Sequence, residues 1–266
     1  MTKTGIQLDG KVIIITGGNS GIGEQIAKQL QQSGANVVVA DLNVETGKKE
    51  NGMYMVQCDV TNKASVENLV NLTVETYGKV DGLVNNAGVN LPRLLVDVKG
   101  ERPEYELSEK DFDFMVAVNQ KGPFLCTQAV AKHLVKQNSG VIVNMSSESG
   151  MEGSAGQSVY AATKSALNGF TRSWAKELGK YQVRVVGVAP GIMEKTGLRT
   201  EEYNEGLAYT RNVSVDQLDS GYASSIPLGR PGTLKEVADL VTYLVSDYSS
   251  YITGTTINIS GGKSRG

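Results

Sequence analysis

The sequence predicts an α/β fold in which helices flank a doubly wound parallel sheet of seven strands. Three observations predict it. Aliphatic runs alternate with amphipathic segments along the chain, the first run leads directly into a glycine-rich turn, and no repeat or linker interrupts the 266 residues. Strands buried on both faces have continuous apolar runs, and their alternation with helices is typical of a parallel sheet. We therefore expect any ligand at the carboxyl ends of the strands.

Length and composition indicate a single domain spanning residues 1–266, since the chain has only 6 prolines and no low-complexity tract. The net charge is −2 at pH 7 and the basic residues form no stripe, which argues against a nucleic-acid or anionic-membrane partner. The start lacks the apolar core of a signal peptide, and no later run could span a bilayer. We therefore expect a cytoplasmic protein.

The cysteines and the histidine limit the kinds of catalytic or metal site that the chain could form. Cys58 and Cys126 are isolated within apolar surroundings, so two buried thiols are expected rather than a disulfide or metal site. His133 is the only histidine, which argues against a His-rich zinc site and against a Ser-His-Asp triad. We expect no metal.

The first strand, at residues 12–15, leads into a glycine-rich turn and a helix. Glycines let the backbone approach a pyrophosphate, and a helix N-terminus offers N–H groups and a positive dipole end. A tight turn that binds nothing is the alternative. The candidate dinucleotide contacts in this turn are Gly17, Asn19, Ser20, Gly21, Ile22 and Gly23.

The second strand, at residues 36–41, ends in Asp41, whose carboxylate can accept hydrogen bonds from the adenosine ribose hydroxyls. The same carboxylate would repel a 2′-phosphate, and no Arg or Lys lies between Gly17 and Gly23. The sequence therefore favours NAD over NADP.

The remaining elements continue the alternation. Strands are predicted at residues 53–58, 80–84, 141–145, 183–188 and 255–259. Ser108 and Asp111 resemble a capping box before one helix, and Thr233 and Glu236 form a second before the last helix. Residues 192–226 show little periodicity, and a long irregular stretch in a compact domain is usually a lid over a site. We therefore expect a substrate-binding lid at residues 191–226, after the sixth strand.

Tyr160 and Lys164 lie four residues apart, so on a helix their tips share a face. A free tyrosine has a pKa of about 10, and a nearby ammonium is expected to lower the pKa of Tyr160 towards neutrality. Ser147 follows an aliphatic run that predicts a strand, so its hydroxyl is expected in the same crevice. The pair alone is common on solvated helix faces; Ser147 strengthens the functional interpretation.

Taken together, the motifs resemble those of the short-chain dehydrogenase/reductase family, which has a Rossmann sheet. They are Thr16-Gly17-x-x-x-Gly21-Ile22-Gly23, Asn85-Asn86-Ala87-Gly88, Asn119, Ser147, Tyr160-x-x-x-Lys164 and Pro190-Gly191. The resemblance implies that Tyr160 is the general acid/base and that Ser147 holds the substrate oxygen. It also implies that Lys164 binds the nicotinamide ribose and tunes Tyr160, and that Asn119 supports a water leading from Lys164 to solvent.

The family's cofactor positions outside the glycine-rich turn carry over by the same resemblance. They fall on Asp41, Asp59, Val60, Asn86, Ala87, Gly88, Tyr160, Lys164, Pro190, Gly191, Ile192 and Thr196. One departure is that Lys195 stands where family members commonly have Thr, with Thr196 next.

Within the family, the chain is similar to bacterial dehydrogenases of polyol phosphates, through Ser147–Gly150, the loop from Gly191 to Tyr222, and the ending Tyr251–Gly262. This implies a small-molecule substrate, with sorbitol 6-phosphate and fructose 6-phosphate as the first pair to consider. Arg93 and Arg199 are the first candidates for the substrate phosphate. Glu148 is a further candidate substrate contact.

Other interpretations remain open at this point. The chain could be a 3-oxoacyl-carrier-protein reductase or another short-chain alcohol or sugar dehydrogenase. It could also be an NAD-binding regulator without turnover. By resemblance we expect a homotetramer whose subunits bury the helices around 108–137 and 157–179.

Overall fold

The computed structural model describes residues 5–48, 51–197, 199–219 and 222–264. Its strands form one sheet, with the order β3-β4-β2-β1-β5-β6-β7-β8. The strands are β1 (Val12–Thr16), β2 (Asn36–Asp41), β3 (Gly47–Lys48), β4 (Tyr54–Gln57), β5 (Gly82–Asn85), β6 (Gly140–Met145), β7 (Val183–Pro190) and β8 (Thr256–Ile259).

Seven of these strands are parallel, as the aliphatic runs predict. The eighth, β3, is a two-residue antiparallel strand on β4, with Gly47 opposite Met55. The sequence gives no sign of β3, because two residues are too few to show an alternating pattern. The parallel strands begin and end within two residues of the predicted bounds.

The helices cover both faces of the sheet. They are α1 (Gly21–Gln32), α2 (Lys63–Tyr77), α3 (Glu109–Val116), α4 (Gly122–Gln137), α5 (Ser149–Glu152), α6 (Ser158–Leu178), α7 (Glu201–Arg211), α8 (Tyr222–Ser225) and α9 (Leu234–Val245). Short 3₁₀ turns occur at Pro103–Tyr105, Gly179–Tyr181, Val215–Gln217 and Asp247–Ser249.

The core has two layers, one on each face of the sheet. Ile13 and Ile15 of β1 face a cluster that includes residues of α1 and α9, while Val12 and Ile14 face one that includes residues of α2 and α4. Successive residues of a strand point to opposite faces, so one run of buried β-branched residues serves both layers. The doubly wound fold predicted from the sequence is confirmed. Both cysteines are buried free thiols, as expected.

Capping explains where two helices begin. Thr233 and Glu236 form the predicted reciprocal capping box of α9. Ser108 accepts a hydrogen bond from the Asp111 N–H and so caps α3, but the Asp111 carboxylate binds Arg93. The capping box expected at Ser108 and Asp111 is therefore only a one-sided cap, made by Ser108.

The lid is more regular than the sequence indicates. Residues 191–226 contain the eleven-residue helix α7, which Thr200 caps by accepting a hydrogen bond from the Tyr203 N–H. Its buried residues are Gly206, Leu207, Ala208 and Thr210, and only Leu207 is a large apolar residue, so the sequence shows no apolar stripe there. The prediction of an irregular segment is wrong for this part. Among the described helices, none is long and apolar enough to cross a membrane.

Candidate active site

Three polar side chains lie close together where β6 ends and α6 begins. Ser147 follows β6, while Tyr160 and Lys164 lie in the first two turns of α6. The Ser147 side chain lies close enough to the Tyr160 hydroxyl to lower its pKa, and the Lys164 Nζ lies 5.7 Å from the centre of the Tyr160 ring. The structure thus brings together the three groups that the sequence places 13 and 4 residues apart.

Lys164 is held by the strand beneath it. Its Nζ donates a hydrogen bond to the Met145 carbonyl at 2.7 Å, and its own carbonyl accepts one from Ser146 Oγ at 2.9 Å. The side chain is buried, and burial lowers the pKa of Lys164 to about 8. An amine with this pKa exists in both protonation states near neutral pH.

The pKa of Tyr160 is raised rather than lowered. Burial raises it to about 12; the hydrogen bond with Ser147 opposes this shift, and the nearby Tyr203 adds to it. The expectation from the sequence that the pKa of Tyr160 is lowered is therefore wrong. The pKa of Tyr160 is raised because desolvation penalises the phenolate. In addition, the Lys164 Nζ donates a hydrogen bond to the Met145 carbonyl.

Asn119 lies in a π-helical turn, Ala117–Lys121, between α3 and α4. Its Oδ1 accepts from the Val89 N–H at 2.8 Å, and its Nδ2 donates to the Val89 carbonyl at 2.8 Å and to Thr163 Oγ1 at 3.2 Å. A π-turn often marks a functional position in a helix. Here it lets one buried amide join the chain after β5 to the helix that carries Tyr160.

Gly88 separates two of these groups. A Cβ atom added at Gly88 would lie 3.4 Å from both Asn119 Oδ1 and Lys164 Nζ. The two polar atoms therefore border the same small space beside the residue-88 backbone. The position suits the water that the family resemblance implies there.

The glycine-rich turn packs closely against the chain that follows β5. Gly17 has a φ of +63°, and a Cβ atom there would lie 2.8 Å from the Ala87 Cα; one at Gly23 would overlap the Gly17 carbonyl. Asn86 Nδ2 donates to the carbonyls of Thr16 at 3.1 Å and Gly17 at 2.9 Å. The side chain of Asn86 thus fixes the turn rather than pointing away from it.

The start of α1 is arranged to receive an anion. Ser20 is its N-cap residue, and its side chain makes no capping bond within the described part of the chain. Gly21 has a φ of +55°, and a Cβ atom there would lie 3.4 Å from the Thr196 Cβ. Thr196 therefore approaches the turn even though Lys195 occupies the family's usual Thr position. A glycine cradle at a helix N-terminus fits the diphosphate of a dinucleotide.

Asp41 lies at the end of β2 beside this turn. Its Oδ2 accepts from the Asn19 N–H at 3.2 Å, and its Oδ1 accepts from the Asn43 N–H at 3.0 Å. Next to it is an open pocket of about 370 Å³ that β3 helps to form. The pocket is lined by Asn19, Asn43, Val44, Glu45, Thr46, Gly47 and Met55. Among the described residues the lining has one carboxylate and no cation, which fits a ribose with free hydroxyls better than a phosphorylated one.

The other predicted cofactor positions lie at the same edge of the sheet. Asp59 Oδ1 accepts from the Thr61 N–H at 2.9 Å, and Val60 packs against Gly122. Pro190 ends β7, and Gly191 and Ile192 follow it. Each of these positions follows the end of a parallel strand, where a doubly wound sheet binds its ligand.

Arg93 and Arg199, the candidate phosphate ligands, are paired with carboxylates. The Arg93 Nε donates to Asp111 at 3.1 Å, and its guanidinium lies 5.6 Å from the Tyr105 ring centre. Arg199 donates to Asp219 at 2.6 Å and to Asn204 at 3.0 Å. These hydrogen bonds use only some of the five N–H donors that each guanidinium group carries.

Glu148, the candidate substrate contact next to Ser147, is paired with the end of the chain. Its Oε1 accepts from Lys263 Nζ at 2.9 Å, while its Oε2 would touch a Cβ atom added at Gly191. The contact with Lys263 could not be predicted from the sequence.

A second group of polar residues lies near Tyr160 and is not predicted from the sequence. Asn90, Gln157 and Tyr203 come from three separate segments and are joined by hydrogen bonds. Gln157 precedes Tyr160 by three residues, which was the only available signal. The described residues contain no group of three or more His, Cys, Asp or Glu side chains arranged to hold a metal ion.

The family model of the short chain dehydrogenases matches residues 11–206. A sorbitol-6-phosphate 2-dehydrogenase from Klebsiella pneumoniae is 56% identical, over 99% of this chain and 100% of the relative. A 3-oxoacyl-(acyl-carrier-protein) reductase from Thermotoga maritima is 39% identical, over 97% of this chain and 99% of the relative. The crystal structure of a 3-ketoacyl-(acyl-carrier-protein) reductase from Brucella melitensis complexed with NADH is similar, with a TM-score of 0.80 at 28% identity, covering 97% of this chain and 100% of that one.

Proposed function

Because the chain belongs to the short-chain dehydrogenase family of oxidoreductases, we propose that it interconverts a polyol phosphate and a ketose phosphate, with NAD as the hydride carrier. Sorbitol 6-phosphate and fructose 6-phosphate are the proposed pair. The observation that carries this proposal is the 56% identity, over 99% of the chain, to a sorbitol-6-phosphate 2-dehydrogenase.

The proposed acid/base is Tyr160. Bound NAD would supply the acceptor or donor of hydride for the reacting carbon. With a pKa of about 12, Tyr160 is protonated at neutral pH and can donate its proton to the carbonyl oxygen of a ketose. The Ser147 hydroxyl, next to Tyr160, would hold the same oxygen. In the reverse direction Tyr160 takes the proton of the alcohol, and a charged Lys164 stabilises the phenolate.

The proposed cofactor site combines the glycine-rich turn with Asp41. Gly17 and Gly21 would admit the diphosphate, and Asp41 would accept hydrogen bonds from the ribose hydroxyls. We expect Asp41→Ala to weaken NAD binding and to narrow the preference over NADP by roughly ten- to a hundredfold. Steady-state kinetics with NADH and NADPH measure both effects. Equal use of NADPH by the wild type would contradict the role of Asp41.

A screen of carbonyl substrates tests the proposed reaction. NADH oxidation would be followed with ketose phosphates, free ketoses and β-ketoacyl thioesters at matched concentrations. We expect fructose 6-phosphate to give the highest kcat/KM. If the enzyme reduces fructose as efficiently as fructose 6-phosphate, the polyol-phosphate assignment is wrong.

A second candidate function is the reduction of 3-oxoacyl thioesters. The observation that favours it is the 39% identity to a 3-oxoacyl-(acyl-carrier-protein) reductase along nearly the whole chain. The lower identity ranks it behind the first proposal. Turnover of acetoacetyl thioesters alone in the same screen would reverse this order.

We also propose that the chain forms a homotetramer through the helices around 108–137 and 157–179. Phe112 and Phe114 of α3 and Phe124 of α4 each leave at least 40% of their surface exposed. Large exposed aromatic side chains on neighbouring helices are typical of protein interfaces.

A further inference from the structure

The second polar group near Tyr160 is a connected cluster. Tyr203 Oη accepts hydrogen bonds from Gln157 Nε2 at 3.0 Å and from Asn90 Nδ2 at 3.3 Å. Ser154 Oγ donates to Gln157 Oε1 at 2.7 Å, which fixes the orientation of that amide. Two amide groups from different segments therefore converge on one phenol oxygen.

One acceptor in this cluster has no partner. Asn90 Oδ1 is buried and accepts no hydrogen bond from any described residue. A buried polar atom without a partner costs free energy, and most such atoms in proteins are satisfied. Asn90 Oδ1 therefore suits a ligand that donates a proton, as an alcohol does.

The cluster lies beside the reacting groups. Gln157 is the N-cap residue of α6, one turn before Tyr160, and Tyr203 is close enough to Tyr160 to act on it electrostatically. Asn90 follows the Gly88 backbone that borders Asn119 and Lys164. A group bound here would thus lie near a carbon whose oxygen is held by Tyr160 and Ser147.

We propose that Asn90, Gln157 and Tyr203 form a subsite that binds a hydroxyl group on a carbon adjacent to the reacting carbon of the substrate. This inference rests on the proposed reaction at Tyr160 but not on a phosphate. A hydroxyl group can donate to Asn90 Oδ1 and accept from an amide N–H of Asn90 or Gln157, whereas a methyl or methylene group does neither. A site built to bind a hydroxyl group rejects the analogue that lacks it.

The segment that would admit the ligand is α7. Asn90 Oδ1 is enclosed, so a ligand reaches it when a neighbouring segment shifts, and Tyr203 lies on α7 within the predicted lid. Closure of α7 over a bound hydroxyl would bring Tyr203 back to its amide donors. The subsite would then link recognition of a hydroxylated substrate to lid closure.

The test compares one ketose with its deoxy analogues. The parent is the ketose or ketose phosphate that the wild type reduces most efficiently, and the analogues lack the hydroxyl at carbon 1 or carbon 3. The variants are Tyr203→Phe and Asn90→Ala. The matched control is Tyr209→Phe. It also removes a hydroxyl group from α7, but this hydroxyl donates to Asp97 at 2.7 Å and is not part of the cluster.

We expect the wild type to prefer the parent over one deoxy analogue by at least about tenfold in kcat/KM, the effect of one lost hydrogen bond. In Tyr203→Phe and Asn90→Ala this preference should fall towards unity, while Tyr209→Phe keeps it. NADH binding, measured by fluorescence, should be unchanged in all three variants. Unchanged binding would show that each variant is folded.

The outcomes separate this inference from the proposed function. A wild type that reduces both deoxy analogues as well as the parent overturns the subsite alone, as do variants that keep the preference. If the wild type reduces fructose and fructose 6-phosphate with equal kcat/KM, only the proposal that the substrate carries a phosphate is wrong. Reduction of acetoacetyl thioesters and of no ketose overturns both.

Discussion

At the scale of the residue, burial governs the proton chemistry of the site. Asn119 and Lys164 are at most 5% exposed, and Ser147 is 8% exposed. Desolvation raises the pKa of Tyr160 to about 12 and lowers that of Lys164 to about 8, so it disfavours a charge on either residue. In the proposed reaction, the pair would therefore favour proton donation by Tyr160 at neutral pH, the direction of ketose reduction.

Tyr160→Phe should bind NADH almost normally but lose the chemical step, because the ring remains and the transferable proton is gone. Loss of general acid catalysis costs roughly 10²–10⁴-fold in rate. Single-turnover kinetics with NADH and fructose 6-phosphate measure the chemical step directly. Near-native turnover in the purified variant would remove Tyr160 from this role.

Lys164→Met should abolish activity yet stabilise the fold near neutral pH. The folded-state pKa of Lys164 is lowered from 10.5 to about 8, so below pH 8 the fold bears the cost of a buried charge. Each pKa unit corresponds to about 1.4 kcal/mol, and the lost hydrogen bond to Met145 offsets part of the gain. We expect a net gain of about 1–2 kcal/mol at pH 7.

The pH dependence of this gain provides its control. Between pH 8 and 10.5 the unfolded chain binds more protons at Lys164, so wild-type stability rises with pH there. The advantage of Lys164→Met should therefore shrink across this interval. Urea unfolding at pH 7 and pH 10 would detect the change. An advantage that stays constant would mean that packing, not charge, is responsible.

At the scale of the element, the lid and the connection before α3 form one unit. Tyr209 of α7 donates to Asp97, Lys99 donates to Asn212 at 2.6 Å, and the Arg102 guanidinium lies 3.6 Å from the Glu205 carboxylate. Two long connections that are remote in sequence thus support one another above the strand ends. Several contacts share this docking, so α7 should keep its position when one of them is lost.

Within the lid, Lys195 and Arg199 share one carboxylate, Asp219, with N–O distances of 3.0 and 2.6 Å. The Arg199 hydrogen bond is the main reason why the pKa of Asp219 is lowered. One carboxylate does not neutralise two cations, so the group can attract an anion. A substrate phosphate would compete with Asp219 for Arg199.

Arg199→Met should therefore raise KM for fructose 6-phosphate about tenfold with a smaller change in kcat, and leave activity on fructose unchanged. Asp219→Asn should have the opposite effect on KM, because it removes the competing carboxylate. Arg211→Met, on the same lid, is the control. A rise in KM for NADH in Arg199→Met, with KM for the sugar phosphate unchanged, would assign Arg199 to the cofactor diphosphate.

At the scale of the whole molecule, the exposed phenylalanines predict assembly. Phe124→Asp should lower the molecular mass measured by light scattering, because a carboxylate cannot be buried unpaired in an apolar interface. Phe124 is 40% exposed in the single chain, so the isolated subunit should tolerate the change. Val98→Ser, at a 91% exposed position, is the control. A wild type that is monomeric at micromolar concentration would contradict the prediction.

The sequence by itself determined the parallel strands, the helices that alternate with them outside the lid, and the residues at the carboxyl edge of the sheet. Each parallel strand is a local aliphatic run, and the glycine-rich turn and the Tyr160–Lys164 spacing are also local patterns. Such patterns predict structure because backbone geometry sets a fixed period for each element. The meeting of Ser147 with Tyr160 could be inferred because parallel strands end at one edge of the sheet.

Only the tertiary structure decided the direction of the Tyr160 pKa shift, the short strand β3, the helix in the lid and the cluster around Tyr203. The pKa depends on how much protein surrounds the phenol, which no spacing encodes. Asn90 and Gln157 reach Tyr203 across 113 and 46 residues of sequence. Contacts of this kind arise when separate segments are packed together by the core, so they leave no periodic signal in the chain.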